Sequence, residues 1–153
     1  MNDKLQFPSI PFNFCGLEEE YSAFDTSKAV ILPVPFETDH GQSGASLAPW
    51  HIIAASKDAE LYDMELGCEI HTHGIYTHGA LELDRSTLES PLDNIKACVA
   101  DLLGMNKYPV IIGGDRTVTL GAVKACQSLN ENLMTVVVAG RADRISMSKS
   151  VHC

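Results

Sequence analysis

Two apolar patterns alternate along the chain. Lys28-Ala-Val-Ile-Leu-Pro-Val-Pro, Pro109-Val-Ile-Ile-Gly-Gly-Asp and Leu133-Met-Thr-Val-Val-Val-Ala are short continuous runs rich in β-branched residues. Runs of this kind predict strands buried on both faces, here near 29–34, from 109 and from 133. Between them the spacing turns helical. Pro49 suits a first helical turn, and Ile52, Ile53 and Ser56 to Ala59 continue that helix. Pro91 opens a second at 91–104, with apolar residues at 92, 95, 99, 102 and 103 on one face and Gly104 as its stop. Thr119 to Leu129 form a third. Residues 36–46, with glycines at 41 and 44, predict a loop. Ile70 to Thr77 also suit a short strand, although glycines and histidines interrupt the pattern. Residues 1–27 read as an irregular segment, with prolines at 8 and 11 and an acidic, solvated patch at Glu18 to Glu20.

Alternating strands and helices predict an α/β fold, a three-layer α/β/α sandwich on a parallel sheet. Active residues in such folds lie beyond the carboxyl ends of strands. Two segments take that position, Gly113-Gly-Asp-Arg-Thr and Ala139-Gly-Arg-Ala-Asp. The whole chain, 1–153, reads as one truncated domain. An interior strand at 136–138 has little chain after it, so the sheet is expected to end on an open apolar edge. Such an edge invites pairing. A homo- or hetero-oligomer that covers it is the expected partner.

Composition changes this picture little. With 153 residues, 45% hydrophobic and 20% charged, the chain can bury a core. A net charge of −9 argues against nucleic acid or an anionic membrane surface as partner. No apolar run reaches the ~18 residues of a membrane span, and the polar start lacks a secretory pattern. Five cysteines without paired spacing suit reduced thiols and a cytoplasmic location. Cys98 and Cys126, in apolar periodic stretches, read as small core residues.

Several segments, in order, resemble the ureohydrolase family of agmatinase and arginase. They are Ile31-Leu-Pro-Val-Pro-Phe-Glu-Thr, Gly44-Ala-Ser-Leu-Ala-Pro-Trp-His-Ile-Ile-Ala-Ala-Ser and Glu60-Leu-Tyr-Asp-Met-Glu-Leu. Pro109-Val-Ile-Ile-Gly-Gly-Asp-Arg-Thr-Val-Thr is similar to a strand that normally ends Gly-Gly-Asp/Glu-His-Ser-x-Thr. Thr135-Val-Val-Val-Ala-Gly-Arg-Ala-Asp is similar to one that normally ends Asp-Ala-His-x-Asp. The resemblance is to the N-terminal half and is agmatinase-like. It implies an arginase-like fold, here incomplete. It also implies two Mn²⁺ ions that activate a bridging hydroxide to attack a guanidino carbon and release urea.

The departures fall on the implied ligands. The family's first ligand histidine falls on Arg116, its next aspartate on Ala139 and its second histidine on Arg141. Only Asp143 retains a family ligand, with Asp115 beside the site. Arginine stays protonated and offers no lone pair, and alanine has no donor atom. No metal is therefore expected in this chain and no catalytic residue is assigned. Arg116 and Arg141 either pair with Asp115 and Asp143 in place of metal charge or point to solvent.

Other constellations have plainer readings. Cys68, His71, His73 and His78 form a C-x2-H-x-H-x4-H cluster. On a strand, His71 and His73 would share a face and suit a transition metal; a variable surface stretch is the competing reading. Gly113-Gly114 lacks the form of a phosphate loop. Asp39, His40 and Ser43 read as a polar loop rather than a triad, and Trp50 as a packing anchor. Three functions are weighed: a catalytically inactive agmatinase-like ureohydrolase homologue, an interaction subunit that pairs with an intact homologue or a second half, and an active amidino hydrolase with an unusual site. The rewritten ligands argue against the third.

Overall fold

A computed structural model of the chain describes residues 12–38, 44–83, 90–130, 132–136 and 138. Its centre is strand β1, Ala29–Val34, and every residue of it after Ala29 is buried. Strand β4, Ile75–Thr77, pairs with it on one side and strand β5, Tyr108–Gly113, on the other, both parallel. Sheet order is β4-β1-β5. A separate antiparallel pair joins β2, Tyr62–Asp63, to β3, Cys68–Glu69.

Helices cover this sheet. Helix α3, Ser90–Gly104, and helix α4, Val118–Leu129, pack on each other. Alternation along β1 sends Val30, Leu32 and Val34 to one face, where they join Ile95, Val99 and Leu102 of α3 and Val118 and Ala125 of α4. Helices α3 and α4 approach so closely that a Cβ on Gly121 would stand 2.7 Å from Ile95 Cβ. The opposite face of β1 carries Ile31 and Pro33, both buried. Helix α2, Ala48–Ala55, packs against β1 and β5 through the fully buried Ile53. The layered α/β arrangement predicted from the alternating pattern is present.

Several local expectations change. Residues before β1 are not wholly irregular: a 3-10 turn spans Phe14–Gly16 and helix α1 spans Glu19–Ser22. Glu18 to Glu20 are exposed, as expected, with Glu19 and Glu20 in the first turn of α1, where the helix dipole favours acid. Helix α2 stops at Ala55. A 3-10 turn follows at Ser56–Asp58, and Ala59 is extended. There the Ser56 hydroxyl donates to the Ile53 carbonyl at 2.8 Å, which satisfies an end carbonyl. Only the second half of 70–77 is a strand; Ile70–His73 form a 3-10 turn. Cys98 and Cys126 are half-buried, and Cys98 packs against the core cluster.

Among the described residues strand β5 is an edge, not the interior strand its apolar run suggested. Tyr108 is 71% exposed and Val110 38%. The expected strand from Leu133 does not form among its described residues. Residues 133–136 and 138 are in no ladder, with Val136 76% and Val138 95% exposed. An apolar run specifies a strand only where a neighbour supplies backbone partners, and none of the described residues pairs with it.

The loop that leaves β1 is tied to the chain beyond it by one carboxylate. Glu37 accepts from the Gly44 amide at 3.1 Å, the Ser46 amide at 3.1 Å and the Ser46 hydroxyl at 3.0 Å. It thereby holds the 3-10 turn Ala45–Leu47 that starts α2. On the other flank, Lys107 Nζ donates to the carbonyls of Phe24 and Ser27, each at 2.7 Å, and lies 4.8 Å from the centre of the Phe24 ring. This fastens the turn before β1 to the entry of β5.

Candidate functional site

The carboxyl ends of β1 and β5 lie side by side, with Val34 paired to Gly113. Beyond them the chain turns sharply through Gly113-Gly114 into α4. That turn requires glycine. A Cβ on Gly114 would collide with the carbonyl oxygens of Phe36 and Ala45, and one on Gly113 would crowd the Val118 side chain at 3.1 Å. The Asp115 amide then donates to the Phe36 carbonyl at 2.9 Å, which draws the two strand ends together.

Asp115 is the polar hub of this corner. One carboxylate oxygen accepts from the Thr38 hydroxyl at 2.7 Å. Its other oxygen accepts from the Thr117 amide at 2.9 Å and the Thr117 hydroxyl at 2.8 Å. The Thr117 amide bond, then the Thr38 hydroxyl bond, hold its carboxyl below the usual value, against a smaller opposing effect of burial. Asp115 thus acts at the entry of α4 much as an N-cap carboxylate does, and it also reaches the β1 loop. Thr38, Thr117 and Glu37 were not legible as site residues from the sequence. The one available signal was that Glu37-Thr38 directly follows a buried strand, where α/β folds place their working loops.

Arg116 follows Asp115, exposed on the rim of a cleft of about 390 Å³. Ile111, Gly113, Gly114, Asp115, Val118, Thr119 and Ala122 line the rest of it. The cleft lies at the strand ends, as the fold class predicted. Ala139, Arg141 and Asp143, the other positions to which the resemblance assigns ligands, lie outside the described residues, as do Asp39, His40 and Ser43.

The manganese pair implied by the resemblance finds no matching donor set in the described part of this corner. Arg116 is a permanent cation and cannot ligate. Both Asp115 oxygens already accept hydrogen bonds. Among the described residues, no three histidine, cysteine, aspartate or glutamate side chains gather as metal ligands. That holds for Cys68, His71, His73 and His78 as well. The 3-10 turn at 70–73 removes the strand face that His71 and His73 were expected to share. His71 instead meets the Tyr21 ring edge-on at 5.0 Å, and His78 Nδ1 lies 2.7 Å from the Gly79 carbonyl. Trp50 is half-buried and packs beside Phe12, with ring centres 6.3 Å apart, as a packing anchor would.

Comparison with known proteins agrees with this architecture. The chain is 34% identical over 148 residues to the N(1)-aminopropylagmatine ureohydrolase of Synechocystis sp., covering 90% of the chain and 46% of that protein. It is 25% identical over 126 residues to the agmatinase of Bacillus cereus, covering 82% of the chain and 43% of that protein. The chain therefore spans somewhat under half the length of these relatives. Its fold is similar to the agmatine ureohydrolase of Thermoplasma volcanium, with a TM-score of 0.65 and 23% identity over 78% of this chain and 39% of the other. Residues 27–139 match the model of the arginase family. That match spans β1 through α4 and includes the Gly113-Gly114-Asp115 corner, so the chain belongs to the arginase family.

Proposed function

We propose that this chain is an agmatinase-like member of the family that does not itself hydrolyse a guanidino substrate. Arginase-family enzymes generally use manganese. Their chemistry, as the resemblance implies it, rests on metal-activated hydroxide. The observation that carries the proposal is Arg116, a guanidinium at the β5 strand end where the resemblance places the first ligand histidine. It adds positive charge where a divalent cation would have to bind, which opposes binding by Coulomb repulsion as well as by the lost donor. Ala139 and Arg141 deepen the loss at the level of sequence.

The test is urea release from agmatine by the purified chain with added manganese, together with its metal content by elemental analysis. The expected result is substoichiometric manganese and no urea. Two manganese ions per chain with urea production would refute the proposal. Arg116→His alone is expected to leave urea release at zero, because the positions at 139 and 141 remain without donors. Arg116→His with Ala139→Asp and Arg141→His is expected to raise manganese affinity.

A second reading is favoured by β5, whose outer edge pairs with no strand among the described residues. Tyr108 and Val110 are exposed beside unpaired ladder positions, and the relatives continue well beyond the matched region. On that reading the chain is an interaction subunit whose β5 edge pairs with a strand of an intact homologue or of a second half. Co-expression with the remaining portion of a relative and co-purification of the two tests it. Val110→Lys would abolish the association. The four described cysteines are free thiols, which supports a cytoplasmic setting for either reading.

A further inference from the structure

Backbone stereochemistry fixes where Lys107 stands. Helix α3 ends in a Schellman turn: the Asn106 amide donates to the Leu103 carbonyl at 3.0 Å and the Lys107 amide to the Leu102 carbonyl at 2.9 Å. Asn106 takes the left-handed conformation this turn requires, with φ 57°. The Tyr108 amide then donates to the Lys28 carbonyl at 2.8 Å as β5 begins. Between these fixed points the Lys107 side chain reaches the turn before β1.

The ammonium meets a complete set of partners there. Its three N–H donors face three carbonyls, those of Phe24 at 2.7 Å, Ser27 at 2.7 Å and Asp25 at 3.3 Å. The Phe24 ring adds its face, with Nζ 4.8 Å from the centre. The cage is built without the lysine. The Ser27 amide donates to the Ala23 carbonyl at 3.0 Å and closes the turn. Tyr76 meets the Phe24 ring edge-on at 5.1 Å, and both rings pack against the core. Among the described residues no backbone amide donates to any of the three carbonyls. A buried carbonyl without a partner costs free energy, and Ser27 is buried. The turn therefore calls for a donor from elsewhere.

We infer that the 23–27 turn is a binding site for a primary ammonium group, a carbonyl cage with an aromatic wall. Lys107 fills it in cis, and a free alkylammonium ion takes the same place when the lysine is cut back. The donor geometry selects this class. Three carbonyls that converge on one nitrogen match the three N–H bonds of R–NH3⁺. A guanidinium spreads its donors over a plane and cannot focus them on one point. A quaternary ammonium has no N–H to give, and a potassium ion needs a fuller shell of carbonyls. Asp25 and Thr26 are exposed, so a small amine reaches the turn from solvent.

Lys107→Ala removes everything beyond Cβ, and the missing piece is n-propylammonium. Thermal unfolding of the full chain at constant ionic strength reads occupancy, since a ligand that binds only the folded state raises the melting temperature. The variant should melt below the parent, and ~100 mM n-propylammonium chloride should regain about a third of the fall while leaving the parent unmoved. n-Propanol, tetramethylammonium chloride and potassium chloride at the same concentration should regain none. If Lys107→Ala does not fold alone, n-propylammonium should restore its cooperative transition. No recovery with n-propylammonium, in either case, overturns the inference. Equal recovery with any of the three controls, or an equal shift in the parent, overturns it too. In the parent, NMR should find the ammonium protons of Lys107 exchanging more slowly than those of the exposed Lys124; equal exchange also overturns the assignment.

Discussion

Asp115→Ala is the most informative single change in the β1–β5 corner. The carboxylate accepts three hydrogen bonds, from the Thr38 hydroxyl at 2.7 Å, the Thr117 amide at 2.9 Å and the Thr117 hydroxyl at 2.8 Å. A hydrogen bond to a charged group contributes about 1.5–3 kcal/mol when water is excluded. Asp115 is only half-buried, and two of the three bonds span a single turn, so water and the unfolded chain recover much of that. A loss of about 2 kcal/mol at neutral pH follows, or roughly 4–8 °C in melting temperature. The Thr38 bond is the long-range one, and Thr38→Val in a double-mutant cycle should show a coupling of about 1 kcal/mol.

The pH dependence has a definite sign. The folded-state carboxyl lies below its ordinary value of 3.8. A depressed acid binds more protons unfolded than folded, so its stabilisation is full above the ordinary value and is lost as pH falls through the folded one. The gap in unfolding free energy between the parent and Asp115→Ala should therefore be flat from neutral pH down to mildly acid and should shrink below the ordinary carboxylate value. Urea unfolding, followed by far-UV circular dichroism across that range, measures it. A gap that stays constant through the acid range, or strict additivity with Thr38→Val, would refute the assignment of Asp115 as a charged link between the two strand ends.

Other perturbations test separate parts of the structure. Gly121→Ala gains helix propensity of about 1 kcal/mol but drives a methyl group into Ile95; a net loss of about 1–2 kcal/mol in thermal unfolding is expected. A stabilised variant would mean that α3 and α4 are not in close contact. Lys107→Met keeps the aliphatic stem and removes the ammonium that serves the Phe24 and Ser27 carbonyls; it should cost about 1–2 kcal/mol and speed amide exchange at Ala29 and Tyr108. Glu37→Gln removes the charge that holds the Gly44 and Ser46 amides and should loosen the start of α2, read as faster amide exchange at Ser46 with little change in global stability.

Parts of the fold were legible because the residues that set them are local. Pro49 and the apolar stripe at 95, 99 and 102 announce their helices, and Val30 to Val34 announce a buried strand, because period and proline stereochemistry act within a few residues. The misreadings share a cause. Pro109 to Ile112 and Leu133 to Val138 have equivalent apolar texture, yet among the described residues β5 ends as an edge and 133–136 join no ladder. Apolar texture records what a segment tolerates, while pairing is decided by another part of the chain. The candidate site divides the same way. Gly113-Gly114 and Arg116 stand out as letters. Thr38 becomes meaningful only once Asp115 is beside it, and nothing in the spacing of the two foretells that contact. Cys68 to His78 failed in the reverse sense, since suggestive letters were separated by a 3-10 turn.

The register of β1 has a consequence for how the molecule is made. Ala29 aligns with Tyr108 and Val34 with Gly113, while Ala29 also aligns with Ile75. Both neighbours of the central strand are encoded far downstream, and neither can be reached by a hairpin. During synthesis β1 leaves the ribosome before its longer partner and stays without it until Gly113 has followed it out. For that interval Val30, Ile31, Leu32 and Val34 are an exposed, uncharged, β-prone run. Topology of this kind folds slowly and leaves nascent chains open to capture. Slowing elongation between Val34 and Gly113 lengthens that exposure and should lower the soluble fraction without altering the melting temperature of what survives.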